Sequence, residues 1–133
     1  LATLYSSEET RPDFQILLYP VISMNPGITH TGSRENLIGK SPTPELTDRY
    51  TLENQVNALT PQAFITLSAD DRSVPPANGL RYFKALLENG VSGCCLHVYP
   101  IGGHGWGFRD SFAYKRQWTE ELEKWLRESL LCQ

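Results

Sequence analysis

The feature that most constrains the fold of this chain is a set of three short apolar runs that do not alternate with polar residues. The runs are QILLYPVI at 15–22, AFITLSA at 63–69 and CCLHVY at 94–99. Continuous apolar runs of this length are typical of strands that are covered on both faces. We therefore expect three buried strands.

A helical pattern lies between the second and third runs, over about 75–89. It opens with two prolines, which suit the first turn of a helix. Apolar residues at i, i+3 and i+7 then form a stripe, made by Leu80, Phe83 and Leu87. Gly90 follows in the position where helices commonly end.

A second helix is expected over about 110–131, after the third run. Asp110 or Ser111 is suited to cap its start. Its buried face is predicted to consist of Trp118, Leu122, Trp125 and Leu126. Strands that alternate with helices in this order favour a parallel sheet wrapped by helices, so the predicted fold class is α/β.

The stretch 24–59 has a different character. It is rich in proline and glycine and poor in apolar residues, and we expect a loop with short helical turns near 44–49 and 52–56. A connection this long within one domain is usually functional or flexible. It is therefore predicted to form part of an active-site rim, with a decorative insertion as the alternative.

The first residues also carry a helical spacing, at Leu1, Leu4 and Tyr5. No capping residue precedes them, so this segment is predicted to be the last turns of a helix. The alternative is a frayed terminal segment.

Charge and composition exclude several functions. The chain has 133 residues and a net charge of −3, and it has no cluster of Lys and Arg that would indicate nucleic-acid binding. No apolar run approaches the length of about 20 residues that spans a membrane. Cys94, Cys95 and Cys132 form no disulfide framework and are predicted to be small apolar fillers. They do not indicate a compartment.

Acidic residues and a histidine follow two neighbouring strands. Asp70 and Asp71 come directly after the second run, and His104 follows the third within the glycine-rich stretch YPIGGHGWGF. Ligands of parallel sheets bind beyond the carboxyl ends of the strands, so these side chains are expected at one edge. They supply two members of a Ser-His-Asp arrangement. Taken singly, Asp70 and Asp71 are also typical of a turn or a helix cap, and His104 is also typical of a surface loop.

The other two histidines carry less information. His97 lies within the third run and is expected to pack or to lie on a sheet face, and His30 lies in the irregular stretch without a partner. No spacing typical of a metal site is present. No metal or cofactor is predicted.

These motifs resemble the C-terminal half of an α/β-hydrolase. The resemblance rests on LLYPVISM, TPQAFITLSADDRSVPPANGLRYFKALLENGV and LHVYPIGGHGWGF. It is closest to acetyl-xylan, feruloyl and related carbohydrate esterases and to prolyl-oligopeptidase-like hydrolases. It implies that Asp71 is the catalytic acid, with Asp70 as its rival, and that His104 is the catalytic histidine. Trp106 and Phe108 either wall the substrate pocket or anchor the loop in the core.

One part of that family's pattern is missing. Such enzymes need a Gly-x-Ser-x-Gly turn, and the chain contains none. The resemblance implies that residues 1–133 are part of one catalytic domain, that the serine and the oxyanion hole lie upstream, and that this chain alone is inactive. A serine peptidase and a non-catalytic binding module are the alternatives. The substrate is expected to be a small or carbohydrate ester, and an unpaired edge of the first strand is expected to favour self-association.

Overall fold

The computed structural model describes residues 2–5 and 7–131. Within these residues three strands form one sheet: β1 (Phe14–Leu18), β2 (Gln62–Ser68) and β3 (Cys95–Tyr99). The α-helices are α1 (Thr31–Ile38), α2 (Pro44–Tyr50), α3 (Ala77–Glu88) and α4 (Lys115–Leu131). Short 3₁₀ turns cover Glu8–Thr10 and Leu52–Gln55.

The sheet has the order β1-β2-β3 and both pairings are parallel, which confirms the predicted α/β class. The predicted strand bounds agree to within a residue except at the end of β1. This strand ends at Leu18 rather than at Ile22. The reason is local, because Tyr19 has a φ of +41° and Pro20 has no amide hydrogen to donate.

Burial differs among the three strands. β2 is buried along almost its whole length, as predicted, but β1 and β3 are only partly covered. Both flank β2, and Ile16 and Val98 are 38% and 44% exposed. Among the described strands, β1 pairs with β2 alone, so its other edge is open. Self-association through that edge stays a prediction.

Each face of the sheet has its own apolar core. On one face α3 packs against β2 through a group that includes Ile65, Leu67, Tyr82 and Leu86. On the other face α4 contributes Trp118 and Trp125 to an aromatic group that also contains Phe64, Trp106 and Phe112. The predicted buried face of α4 is confirmed, since Leu122 and Leu126 pack against the same group.

The buried face of α3 differs from the prediction. Of the predicted stripe, Phe83 packs against the core. Leu80 and Leu87 are 46% and 55% exposed, whereas Tyr82 and Leu86 are buried. The contact with the sheet passes through Gly79, where a Cβ atom would lie 2.4 Å from Leu67 Cδ2. This close approach rotates the helix so that the glycine, rather than the predicted leucine stripe, faces the strand.

The helix α4 also begins later than predicted. Residues 110–114 form turns, and neither Asp110 nor Ser111 caps the helix that starts at Lys115. Asp110 accepts a hydrogen bond from Lys115 Nζ at 2.5 Å instead. The Asp110 carboxylate is therefore used as an ion-pair partner.

The stretch 24–59 is more helical than predicted. The turns near 44–49 and 52–56 are present as α2 and a 3₁₀ turn, but α1 was not expected, because its residues have no apolar stripe. Buried Asn78 of α3 holds the beginning of this stretch. Its Oδ1 accepts from the amides of Ile22 and Ser23 at 2.9 Å each, and its Nδ2 donates to Ile28 O at 2.6 Å.

The expected helix at the start of the chain is absent from residues 2–5, which are irregular. Leu1 lies outside the described residues. A helix is costly to nucleate, and so few residues do not sustain one. Cys94 and Cys95 are free and partly buried, and Cys132 lies outside the described residues. Over the described part of the chain, no helix has both the length and the apolarity needed to cross a membrane.

Candidate active site

Three loops meet at the carboxyl edge of the sheet, one after each strand. Tyr19 follows β1, Asp71 lies in the loop after β2, and His104 lies in the loop after β3. Because the strands are parallel and adjacent, these loops emerge side by side.

The Asp71 carboxylate is fixed by its own loop. The residue is 5% exposed, and its Oδ1 accepts hydrogen bonds from the amides of Ser73 and Val74 at 2.9 Å each. These bonds within the loop hold the carboxylate in one orientation. They leave Oδ2 to a partner from another loop.

That partner is His104. Its Nδ1 lies 2.7 Å from Asp71 Oδ2, and 34% of the imidazole side chain is exposed against 1% of the carboxylate. An ionised carboxylate accepts hydrogen bonds only, so the proton of a neutral ring lies on Nδ1. Nε2 is then an acceptor, and no group in the described part of the chain hydrogen-bonds to it. This is the geometry of an oriented general base.

Asp70 takes a different place. It is exposed, and its Oδ1 accepts a hydrogen bond from the Gly103 amide at 2.8 Å. The Gly103 amide holds the pKa of the Asp70 carboxyl below its ordinary value. The structure therefore brings Asp71 to the imidazole and Asp70 to the backbone of the histidine loop.

The histidine loop depends on glycine at one position in particular. Gly102 has a φ of +147°, and a Cβ there would lie 2.5 Å from Phe112 Cε2 and 2.6 Å from Ser68 Oγ. The loop thus passes directly over the end of β2. A larger residue at position 102 would push it away from the sheet.

Of the two aromatic residues after His104, one is an anchor. Trp106 is 3% exposed, donates from Nε1 to Ser68 Oγ at 2.8 Å, and stacks on Phe112 with ring centroids 4.1 Å apart. Phe108 is 67% exposed and lies against Trp118. The structure shows the anchoring contacts of Trp106, and its role in a substrate pocket stays a prediction.

A cavity of about 190 Å³ lies beside the imidazole. It is lined by Ile101, Gly102, His104, Trp106, Arg109, Ser111, Phe112 and Ala113. Its walls include Trp106 but neither Phe108 nor any residue of 24–59, so the predicted rim stays a prediction. A larger groove of about 540 Å³ lies at the opposite edge, where Asp13 and Gly93 precede β1 and β3 and Gln62 begins β2.

Sequence reasoning did not identify Tyr19 as part of this site. Its ring packs on the His104 ring, with centroids 4.5 Å apart and planes inclined at 60°. The tyrosine lies in the motif LLYPVISM, where a Tyr-Pro pair closes an apolar run. That pair indicates a strand end but says nothing about which loop the ring reaches.

The remaining histidines have structural contacts. His30 caps α1, because its Nδ1 accepts from the Ser33 amide at 3.2 Å. The His97 ring packs on Phe64 with centroids 5.1 Å apart. Among residues 2–5 and 7–131, no group of three His, Cys, Asp or Glu side chains converges to hold a metal ion.

Known proteins resemble the chain in sequence and fold. The sequence pattern of the prolyl oligopeptidase family matches residues 26–132. An acetylxylan esterase of Xylanibacter ruminicola is 42% identical over 126 residues, which cover 92% of this chain and 26% of the relative. Endo-1,4-beta-xylanase B of Butyrivibrio fibrisolvens is 38% identical over 101 residues, which cover 76% of this chain and 16% of that protein.

A solved structure is also similar to this chain in both sequence and fold. The acetyl ester-xyloside bifunctional hydrolase of Caldicellulosiruptor lactoaceticus superposes with a TM-score of 0.84 at 39% identity, over 90% of this chain and 43% of that one. The solved neighbours have the α/β-hydrolase fold. The chain spans less than half the length of each of these three relatives.

Proposed function

The chain belongs to the prolyl oligopeptidase family, and from this premise we propose that it is the acid–histidine half of a serine carboxylic-ester hydrolase. The observation that carries the proposal is the 2.7 Å contact between buried Asp71 Oδ2 and the Nδ1 of partly exposed His104. We propose acyl esters of carbohydrates as the substrate class. The acetylxylan esterase and the acetyl ester-xyloside hydrolase that the chain resembles support this choice.

In the proposed reaction, Asp71 holds His104 in the tautomer that carries its proton on Nδ1. Nε2 then takes the proton of a serine hydroxyl as the serine oxygen attacks the ester carbonyl. The same nitrogen returns the proton to the leaving alcohol, and an acyl-enzyme remains. Water, deprotonated by His104, attacks the acyl-enzyme, and the protonated His104 gives the proton to the serine oxygen as the acid is released. Such acyl transfer requires no cofactor.

The serine itself is proposed to come from another part of the protein. The sequence contains no Gly-x-Ser-x-Gly, which is the turn that presents the nucleophile in this fold. The amide donors of the oxyanion hole adjoin that turn and an earlier loop. We therefore propose that residues 1–133 alone have no esterase activity and that the intact protein has it.

A serine peptidase of the prolyl oligopeptidase type is the second candidate. The matching family pattern favours it, since the same Asp71–His104 pair would serve attack on a peptide carbonyl. The names of the acetyl-ester relatives favour the ester. The two candidates differ in substrate and not in the residues of this chain, so substrate tests separate them.

The test compares variants of the intact protein on acetylated xylan, with acetate release as the readout. We expect Asp71→Asn and His104→Ala each to lower kcat/KM by about 10⁴-fold, because the imidazole is then misoriented or absent. Asp70→Asn is the matched control. It removes a charge one residue away without touching the imidazole, and we expect a change of less than about threefold.

Other outcomes select other functions. Cleavage of a prolyl p-nitroanilide without acetate release, lost in His104→Ala, would establish the peptidase. Sugar or peptide binding without turnover of either substrate would leave a binding module. Equal losses in Asp70→Asn and Asp71→Asn would contradict the assignment of Asp71 as the acid.

A further inference from the structure

Tyr19, just after the end of β1, contacts the apolar groups on both faces of the sheet. Side chains alternate along a strand, and Gln15 and Leu17 of β1 face the α3 core, where Gln15 Oε1 accepts from Tyr82. Alternation would send Tyr19 to that face as well. Tyr19 does contact the α3 core, but its ring also reaches His104 and Trp106, and Trp106 belongs to the aromatic group on the opposite face.

The backbone of Tyr19 makes this possible. Among the described residues it is the non-glycine residue with positive φ, at +41°, and it directly precedes Pro20. Both features are unfavourable for a bulky aromatic residue. The amide nevertheless donates to Thr66 O at 2.7 Å, so β2 fixes the strained residue in place. Strain of this kind persists where the surroundings impose it, and it clusters at functional sites.

The His104 ring has few other restraints. Asp71 holds it by one hydrogen bond at Nδ1. The surrounding backbone is permissive, because glycines with positive φ precede and follow the histidine. A single bond leaves the imidazole free to tilt about the Nδ1 contact. The Tyr19 ring blocks this tilt on one side, since the two centroids lie 4.5 Å apart at an interplanar angle of 60°.

Trp106 completes the support. Its ring lies 5.0 Å from the Tyr19 ring at 80°, and its Nε1 is fixed on Ser68. Tyr19 is therefore wedged between a rigid indole and the imidazole. Because Trp106 restricts the Tyr19 ring, the Tyr19 ring in turn restricts the movement of the His104 ring.

We propose that Tyr19 is a positioning residue for His104, whose strained backbone aims its ring at the imidazole and keeps Nε2 directed at the reacting hydroxyl. This inference rests on the proposed esterase function. The aromatic ring provides the restraint and the hydroxyl does not. The hydroxyl of Tyr19 points toward Gly107. A Cβ built on Gly107 would lie 3.5 Å from Tyr19 Oη.

Three variants of the intact protein separate the ring from the strain. Tyr19→Phe keeps the ring, Tyr19→Ala removes it and keeps a Cβ, and Tyr19→Gly removes it and suits a φ of +41°. We expect Tyr19→Ala and Tyr19→Gly to lower kcat by about 10- to 100-fold with KM changed less than threefold, because the imidazole is misplaced. Tyr19→Phe is expected to stay within about twofold of the parent protein.

Thermal unfolding provides the control for a merely structural role. Tyr19→Gly is expected to be more stable than Tyr19→Ala, since glycine relieves the strain, while the two lose the same kcat. A loss of kcat that follows stability across the three variants would overturn the proposal. Parent-like kcat in Tyr19→Gly would overturn it too, and a large loss in Tyr19→Phe would show that the hydroxyl acts instead.

A second readout does not depend on catalysis. With ¹⁵N-labelled histidine in the intact protein, the Nδ1 proton of His104 is assigned by its loss in His104→Ala. We expect this resonance to broaden in Tyr19→Ala and Tyr19→Gly and to persist in Tyr19→Phe. Absent ester hydrolysis in the parent protein would contradict the proposed function alone. An unchanged resonance in all three variants would contradict the positioning role alone.

Discussion

The acid loop and the histidine loop emerge from neighbouring strands, yet they are held in different ways. The acid loop is held by itself, because Asp71 Oδ1 binds the amides of Ser73 and Val74. The histidine loop makes its key contacts elsewhere. Its Gly103 amide donates to Asp70, and Trp106 donates to Ser68. Ser68 is the last residue of β2, and Asp70 follows it.

The difference shows how the candidate pair is assembled. The Asp71 carboxylate is held by its own loop. The glycine-containing histidine loop is then held by contacts with Asp71, Asp70 and Ser68. The second loop is therefore sensitive to changes in its neighbours, whereas the first is sensitive to changes in itself.

The largest effect is expected where the histidine loop crosses β2. Gly102→Ala would place a Cβ 2.5 Å from Phe112 and 2.6 Å from Ser68, at a φ of +147°. We expect the free energy of unfolding of the intact protein, measured by urea denaturation, to fall by roughly 3 kcal/mol or more. Gly105→Ala is the matched control, because a Cβ there meets nothing within 4 Å. Equal losses would show that backbone strain alone is responsible.

A smaller loss is expected within the acid loop. Asp71→Ala removes the acceptor of two amides and should lower the free energy of unfolding by about 2 kcal/mol. Asp71→Asn keeps Oδ1 as an acceptor, so most of this stability should remain although the proposed activity is lost. If Asp71→Asn proved as destabilising as Asp71→Ala, the loop would depend on the charge rather than on the hydrogen bonds.

The anchor of the histidine loop should contribute less. Ser68→Ala leaves the buried Trp106 Nε1 without its acceptor, and we expect a loss of about 1 to 2 kcal/mol in the same urea experiment. Ser111→Ala, on the exposed part of the loop, is the control and should have no measurable effect. A parent-like Ser68→Ala would mean that stacking on Phe112 alone holds the indole.

The same contrast explains how much was predictable from the sequence. The acid loop is encoded locally in SADDRSVPP, so its position after a strand and before a helix followed from adjacent residues. The position of His104 after β3 followed from the order of elements. The alternation of β1 gives no indication that Tyr19 contacts it, because that contact depends on a single strained φ.

The errors in the fold prediction have a similar origin. The face of α3 was wrong because Gly79, which carries no hydrophobic signal, makes the closest approach to β2. α1 was missed because its start depends on His30 as a cap and its residues have no apolar stripe. Elements marked by apolar spacing were predictable, whereas a helix that depends on a histidine cap and a face set by the close approach of two elements were not.

The smallest predicted effect concerns the charge on Asp70. The Gly103 amide lowers the pKa of this carboxyl below 3.8, its ordinary value, in the folded protein. A group with a depressed folded pKa stabilises the protein above the unfolded pKa, and this contribution is lost as pH falls through the folded pKa. We therefore expect the parent protein to be slightly more stable than Asp70→Asn at pH 6, and the difference to vanish as the pH falls below 3.8. Urea denaturation of both proteins from pH 6 to pH 2.5, at about 0.1 M salt, measures it. A difference that stayed constant over this range would show that asparagine replaces the carboxylate on the Gly103 amide without regard to charge, and that the histidine loop needs only an acceptor at this point.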